Sequence, residues 1–234
     1  MAGALVVDLG SVGCAYGNWD LLDHIAVLES VQREIRAFGG EPDRVTLGVQ
    51  SAGAGNVADL LVCPASEGLF SRTILHSPPL PECGGDPERR RRWERELGVT
   101  RSTPPAEVVA RHEALLSEGE WRGTRGAAMP TIDAATLPVS PLGTPDARLP
   151  IPVLVGTTRD GATFLLRTGG REAPDEQVKK LTAHLFVEPT QRWARERAAA
   201  GGRVHLFRVD HASPDPRLGA LHTSVKATSC VCIR

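Results

Sequence analysis

The chain has 234 residues, 41% of them hydrophobic, and a formal net charge of −1, which suits one domain spanning residues 1–234 with a substantial core. The balance leaves no basic excess to hold nucleic acid, and no apolar run reaches the length of a membrane span. The opening MAGALVVDLG lacks the basic and cleavage regions of a signal peptide, so the cytoplasm is the expected compartment.

In chain order, GALVVDLG (Gly3 to Gly10) reads as a short apolar strand closed by glycine. Asn18 to Gly40 carries apolar residues at spacings of three and four (Leu21, Leu22, Ile25, Leu28, Val31, Ile35, Phe38) and predicts a helix stopped by Gly39-Gly40. RVTLGV is a second strand, AGAGNVADLLVC a small-residue helix able to lie close to a sheet, and SRTILHS (Ser71 to Ser77) a third strand. A proline-glycine loop then leads into a charged helix, in which glutamates 88, 94 and 96 offset the run Arg89 to Arg92 and predict a solvated face. IPVLVGTT (Ile151 to Thr158) and RVHLFRVD (Arg203 to Asp210) complete the strands. Alternation of strands and helices predicts an α/β fold with a mostly parallel sheet flanked by helices. The cysteines (Cys14, Cys63, Cys83, Cys230, Cys232) are odd in number and lack paired zinc-ligand spacing, so free thiols and no metal are expected.

The chemistry gathers where the second strand meets the small-residue helix. Val49-Gln50-Ser51-Ala52-Gly53 is a variant of the nucleophile elbow, in which a strained serine projects above the sheet and the amide that follows it faces a developing oxyanion. Gly53 fits the small position after the serine; Val49 stands at the small position before it and is expected to crowd the turn. The plain alternative is Ser51 as a helix N-cap.

Several motifs in order, GNWDLLDHIAVLESVQREIRAFGGEPDRVTLGVQSAGAGNVADLLVCPASEGLF, MPTIDAATLP, IPVLVGTTRDGATFLL and GALHTS, resemble type-B carboxylesterases, the para-nitrobenzyl esterase and cholinesterase-like branch of the α/β-hydrolases. The resemblance runs from about Leu9 to His222. It implies a serine carboxylic-ester hydrolase acting on a small-molecule ester without a cofactor. Ser51 would be the nucleophile, His222 the general base, and the Ala52 N–H an oxyanion donor. The family's acid is a glutamate in G-T-x-x-D-E-G; here Gly161 holds that position, and the adjacent Asp160 is the expected substitute acid.

The family's His-Gly-Gly-Gly oxyanion loop and the strands upstream have no counterpart in this sequence. The expected fold is therefore a partial α/β-hydrolase with N-terminal strands missing and an uncovered sheet edge open to self-association. Loss of one oxyanion donor typically costs about 2.7–4 kcal/mol of transition-state stabilisation, so activity is expected to be low or altered. The alternative is an inactive remnant serving as a binding or structural module.

Overall fold

A computed structural model describes residues 18–80, 86–100, 102–117, 130–144, 146–168 and 172–224. The strand expected at Gly3 to Gly10, and Cys14, Cys83, Cys230 and Cys232, lie outside these residues. The framework is a four-stranded sheet in the order β1-β2-β3-β4, comprising β1 (Thr46–Gln50), β2 (Arg72–His76), β3 (Val153–Thr158) and β4 (Val204–Val209). Every neighbouring pair is parallel, as the strand–helix alternation predicts. Strands β2, β3 and β4 lie within the spans read from the sequence, shorter by one or two residues at an end, whereas β1 starts two residues later than RVTLGV and runs one further, to Gln50.

Helix α1 (Trp19–Glu34) buries Leu21, Ile25 and Leu28, then tightens into a 3₁₀ turn that Gly39 closes at φ 79°. Trp19 stays 41% exposed, so it does not join the core. Helix α2 (Ala52–Leu60) packs on β1 and β2; after β3 come the short α5 (Thr163–Leu166), α6 (Asp175–Thr182) and α7 (Glu188–Ala199), the last packing on β3 and β4. One cluster joins Ala54, Val57, Leu75, Val153, Val155 and Trp193, which places α2 and α7 on the same sheet face. By strand alternation the opposite face carries the row Gly48–Ile74–Leu154–His205, where Leu154 is 37% exposed.

Between β2 and β3, α3 (Pro87–Leu97) and α4 (Pro105–Ser117) form a hairpin around Trp93, Leu97, Val99 and Val108. Asp86 caps α3 by accepting from Glu88 N–H. The charged run is not a uniformly solvated face. Arg91 and Arg92 pair with Glu88 and Glu96 in the open, but Arg90 and Glu94 are buried and bonded at 2.8 Å. Trp93 is buried four positions from Leu97 and draws the adjacent helical face inward with it.

His112 is buried on α4, edge-on to Trp93 at 5.4 Å. Burial pushes its imidazole below the ordinary 6.5, against an opposing pull from Glu113. The unfolded chain therefore binds a proton more readily than the folded one, so this contribution to stability is complete above about pH 6.5 and is lost as pH falls below it. Thermal melts are expected to shift downward between about pH 7 and pH 5. His112→Phe should remove part of that slope; an unchanged slope would assign it elsewhere, with His76, also lowered by burial, as the other contributor.

Candidate active site

Ser51 sits between β1 and α2 at φ 59°, ψ −126°. A non-glycine residue in such a conformation stores about 1–3 kcal/mol and persists only where its surroundings over-determine it. Here Ser51 N–H donates to the His76 carbonyl at 2.9 Å, and Gly55 N–H donates to the Ser51 carbonyl at 3.1 Å. The serine is thus held from β2 on one side and from its own helix on the other. Its hydroxyl makes no cap bond to α2; it lies 2.6 Å from His222 Nε2, a residue 171 positions away. That contact replaces the N-cap alternative.

Val49 does not crowd the turn. A Cβ placed on Gly53 would meet the Val49 Cβ at 3.7 Å and its Cγ1 at 3.8 Å, ordinary contact distances. With glycine at one position of the pair, the other accommodates a β-branched side chain. Ala52 is the first residue of α2, and its N–H belongs to the unsatisfied first turn, where the helix dipole favours negative charge.

His222 is 3% exposed, and the loop that carries it is tied down through its backbone. Gln50 Nε2 donates to the His222 carbonyl at 3.1 Å, directly linking the residue before the nucleophile to the base. Thr163 Oγ1 donates to the Leu218 carbonyl at 2.9 Å, and Arg167 Nη1 to that of Arg217 at 2.9 Å. The ring itself meets Phe186 in a stack, centroids 4.8 Å apart and planes 30° apart, and Phe164 at 5.9 Å. The sequence patterns carry no signal for Gln50 or Phe186 in this role, because each acts across a contact between distant segments.

Asp160 serves this loop by a different route from the one expected. Its carboxylate accepts from Ala220 N–H at 2.9 Å and pairs with Arg159 at 3.0 Å, while its own N–H donates to the Ala220 carbonyl at 3.0 Å. Gly219, at φ 56°, leaves the room this requires, since a Cβ there would collide with the Asp160 carboxylate. Asp160 thus holds the backbone two residues before His222. Asp160→Asn keeps an acceptor for Ala220 and loses only a half-exposed ion pair, so Ser51 reactivity should stay within about five-fold of the parent. Asp160→Ala removes the acceptor and should lower reactivity further. Equal, large losses in both variants would instead indicate a need for the negative charge.

Other polar groups in the motifs are structural. The buried Asn18 donates from Nδ2 to Thr131 O and Asp133 Oδ2, each at 2.7 Å, and accepts Thr131 N–H. Asp133 Oδ1 in turn accepts from Ala135, Thr136 and Leu137 N–H. His24 is exposed and bonds the Asp20 carbonyl. Ser77 does not bond locally through its side chain: its buried Oγ has no hydrogen-bond partner among the described residues. Cys63 is a free, buried thiol, pushed up by that burial. No described helix is long and apolar enough to cross a membrane.

Residues 10–183 match the sequence model of the carboxylesterase family. Among similar proteins, a probable N-octanoylanthranilate hydrolase, AqdA2, of Rhodococcus erythropolis is 29% identical over 233 residues, covering 90% of this chain and 51% of that protein. Para-nitrobenzyl esterase of Bacillus subtilis (strain 168) is 32% identical over 203 residues, covering 77% of this chain and 40% of that one. A solved PNB esterase structure superposes with a TM-score of 0.79 at 25% identity, covering 93% of this chain and 55% of its own. The chain therefore spans about half the length of these relatives.

Proposed function

The chain belongs to the carboxylesterase family, and from that premise we propose that it hydrolyses carboxylic esters of small molecules through an acyl-enzyme on Ser51. The supporting observation is the 2.6 Å contact between Ser51 Oγ and His222 Nε2 at a strained strand-to-helix turn. In this reading His222 Nε2 takes the hydroxyl proton as Ser51 Oγ attacks the ester carbonyl. The oxyanion accepts from Ala52 N–H at the start of α2. Collapse of the tetrahedral intermediate expels the alcohol, which leaves with the proton from His222. Water then enters and loses its proton to the same imidazole as its oxygen attacks the acyl carbon; collapse releases the acid, and His222 returns the proton to Ser51 Oγ. Serine, base and amide donors suffice for each step, so the reaction calls for no cofactor.

Asp160 enters as a positioning residue. Its bond to Ala220 N–H holds the loop that presents His222, so it supports the base through the backbone. A backbone clamp of this kind does not itself stabilise the imidazolium that forms in the transition state. With Gly161 at the family's acid position, turnover is expected to be slow.

One observation favours a second reading, a non-catalytic binding or structural module: the acid position of the family is Gly161, packed against Phe186. Treatment with a fluorophosphonate probe, followed by peptide mapping and an assay of short-chain para-nitrophenyl esters, separates the two. An adduct on Ser51 together with ester turnover is the expected result. A folded sample that gains no adduct at Ser51 and turns over no ester supports the binding module.

A further inference from the structure

Gln50, Asp160, Thr163 and Arg167 fix the backbone around His222, but a histidine whose backbone is held can still rotate its ring away from the serine. What faces the ring is Phe186, 2% exposed and stacked on it at 4.8 Å. Phe186 comes from a π-helical turn, Ala183–Val187, between α6 (Asp175–Thr182) and α7. Pro189 lies just beyond that turn and cannot donate to a carbonyl four residues back, which accounts for the wider winding there. The same ring fills the space beside Gly161: a Cβ at 161 would lie 3.3 and 3.6 Å from Phe186 ring carbons and 3.2 Å from Thr158 Oγ1.

We propose that Phe186 is a positioning residue for the His222 imidazole, its stacked ring opposing rotation of the imidazole away from Ser51. This rests on the reading of Ser51 and His222 as a reacting pair. Rotation of the imidazole about its Cβ–Cγ bond would swing Nε2 off Ser51 Oγ, and a buried ring packed on its face opposes that rotation. The small residue at 161 and the aromatic at 186 form one unit, because a longer side chain at 161 would displace the ring.

The test compares the wild type with Phe186→Leu and Phe186→Met, which keep apolar bulk without a ring, and with Phe186→Tyr, which keeps the ring. Imidazole NMR signals, with His222 identified by its loss in His222→Asn, are followed alongside the rate of Ser51 labelling by a fluorophosphonate from about pH 5 to pH 9. In the Leu and Met variants the His222 signal is expected to lose its ring-current shift. Labelling there should slow about ten-fold or more, with a changed pH profile, and Phe186→Tyr should restore both. Folded Leu or Met variants that leave the His222 signal and the labelling rate unchanged overturn the proposal. A wild type that carries the shifted signal yet gains no adduct at Ser51 overturns the hydrolase reading, and the NMR comparison then decides the positioning role alone.

Discussion

Substituting His222 by Asn is expected to slow fluorophosphonate labelling of Ser51 and ester turnover by about 10²- to 10⁴-fold, the usual contribution of a positioned general base. Ser51→Ala should abolish both. The reason is geometric. Ser51 Oγ and His222 Nε2 are 2.6 Å apart, within reach for proton transfer, and the Ser51 backbone is bonded on both sides so that the hydroxyl cannot relax into a cap. Asparagine occupies part of the imidazole's volume but cannot accept and return a proton in this pH range. The pair acts as a unit, so His222→Asn/Ser51→Ala should lose no more than Ser51→Ala alone. Labelling that proceeds at the parent rate in His222→Asn would remove the histidine from the mechanism.

Loss of Arg197 is expected to be the largest single effect on stability away from the site. Arg197 is 0% exposed on α7. Its guanidinium donates to the carbonyls of Ala147, Arg148 and Ile151 at 2.5, 2.8 and 3.2 Å and lies 5.7 Å from the Trp193 ring centroid. Burial lowers its pKa from the ordinary guanidinium value, and Asp146 opposes this. These bonds shape the turn that delivers the chain into β3, which ends just before the Asp160 turn. Arg197→Met strands the Ala147 and Ile151 carbonyls, each worth about 1–3 kcal/mol when left without a donor, while the Arg148 carbonyl keeps the Ile151 N–H; the loss is partly offset by relief of the buried charge. A net loss of at least about 2 kcal/mol follows, or a melting temperature lower by roughly 4–8 °C for a chain of this size. Arg197→Lys keeps the charge but not the planar fork, and should recover only a small part. A melting temperature within about 1 °C of the parent in Arg197→Met would show that the turn holds without the fork.

The four described strands and the long first helix were legible because each rests on local periodicity and glycine stops. The elbow was legible too, since a strand, a serine and a small-residue helix follow one another in the chain. Misreadings came where packing rather than pattern decides the outcome. Val49 broke the small-residue pattern, yet its fit depends only on the bare Gly53 across from it. The arginine run read as solvated, but the hairpin buries Arg90 and Glu94 together because Trp93 between them must be buried.

What the sequence alone determined is the α/β alternation, the order of the motifs and the identity of Ser51 and His222 as candidates. The alternation depends on residue type and spacing along the chain, and the candidates on the resemblance of the motifs to those of carboxylesterases. Only the tertiary structure decided how the base is supported. Asp160 bonds the backbone at Ala220, Gln50 holds the His222 carbonyl, and Phe186 covers the ring from a turn 36 residues earlier in the chain. Each is a contact between segments far apart in sequence. Its existence depends on how the packed sheet and helices bring those segments within a few ångströms, and no local pattern encodes that distance.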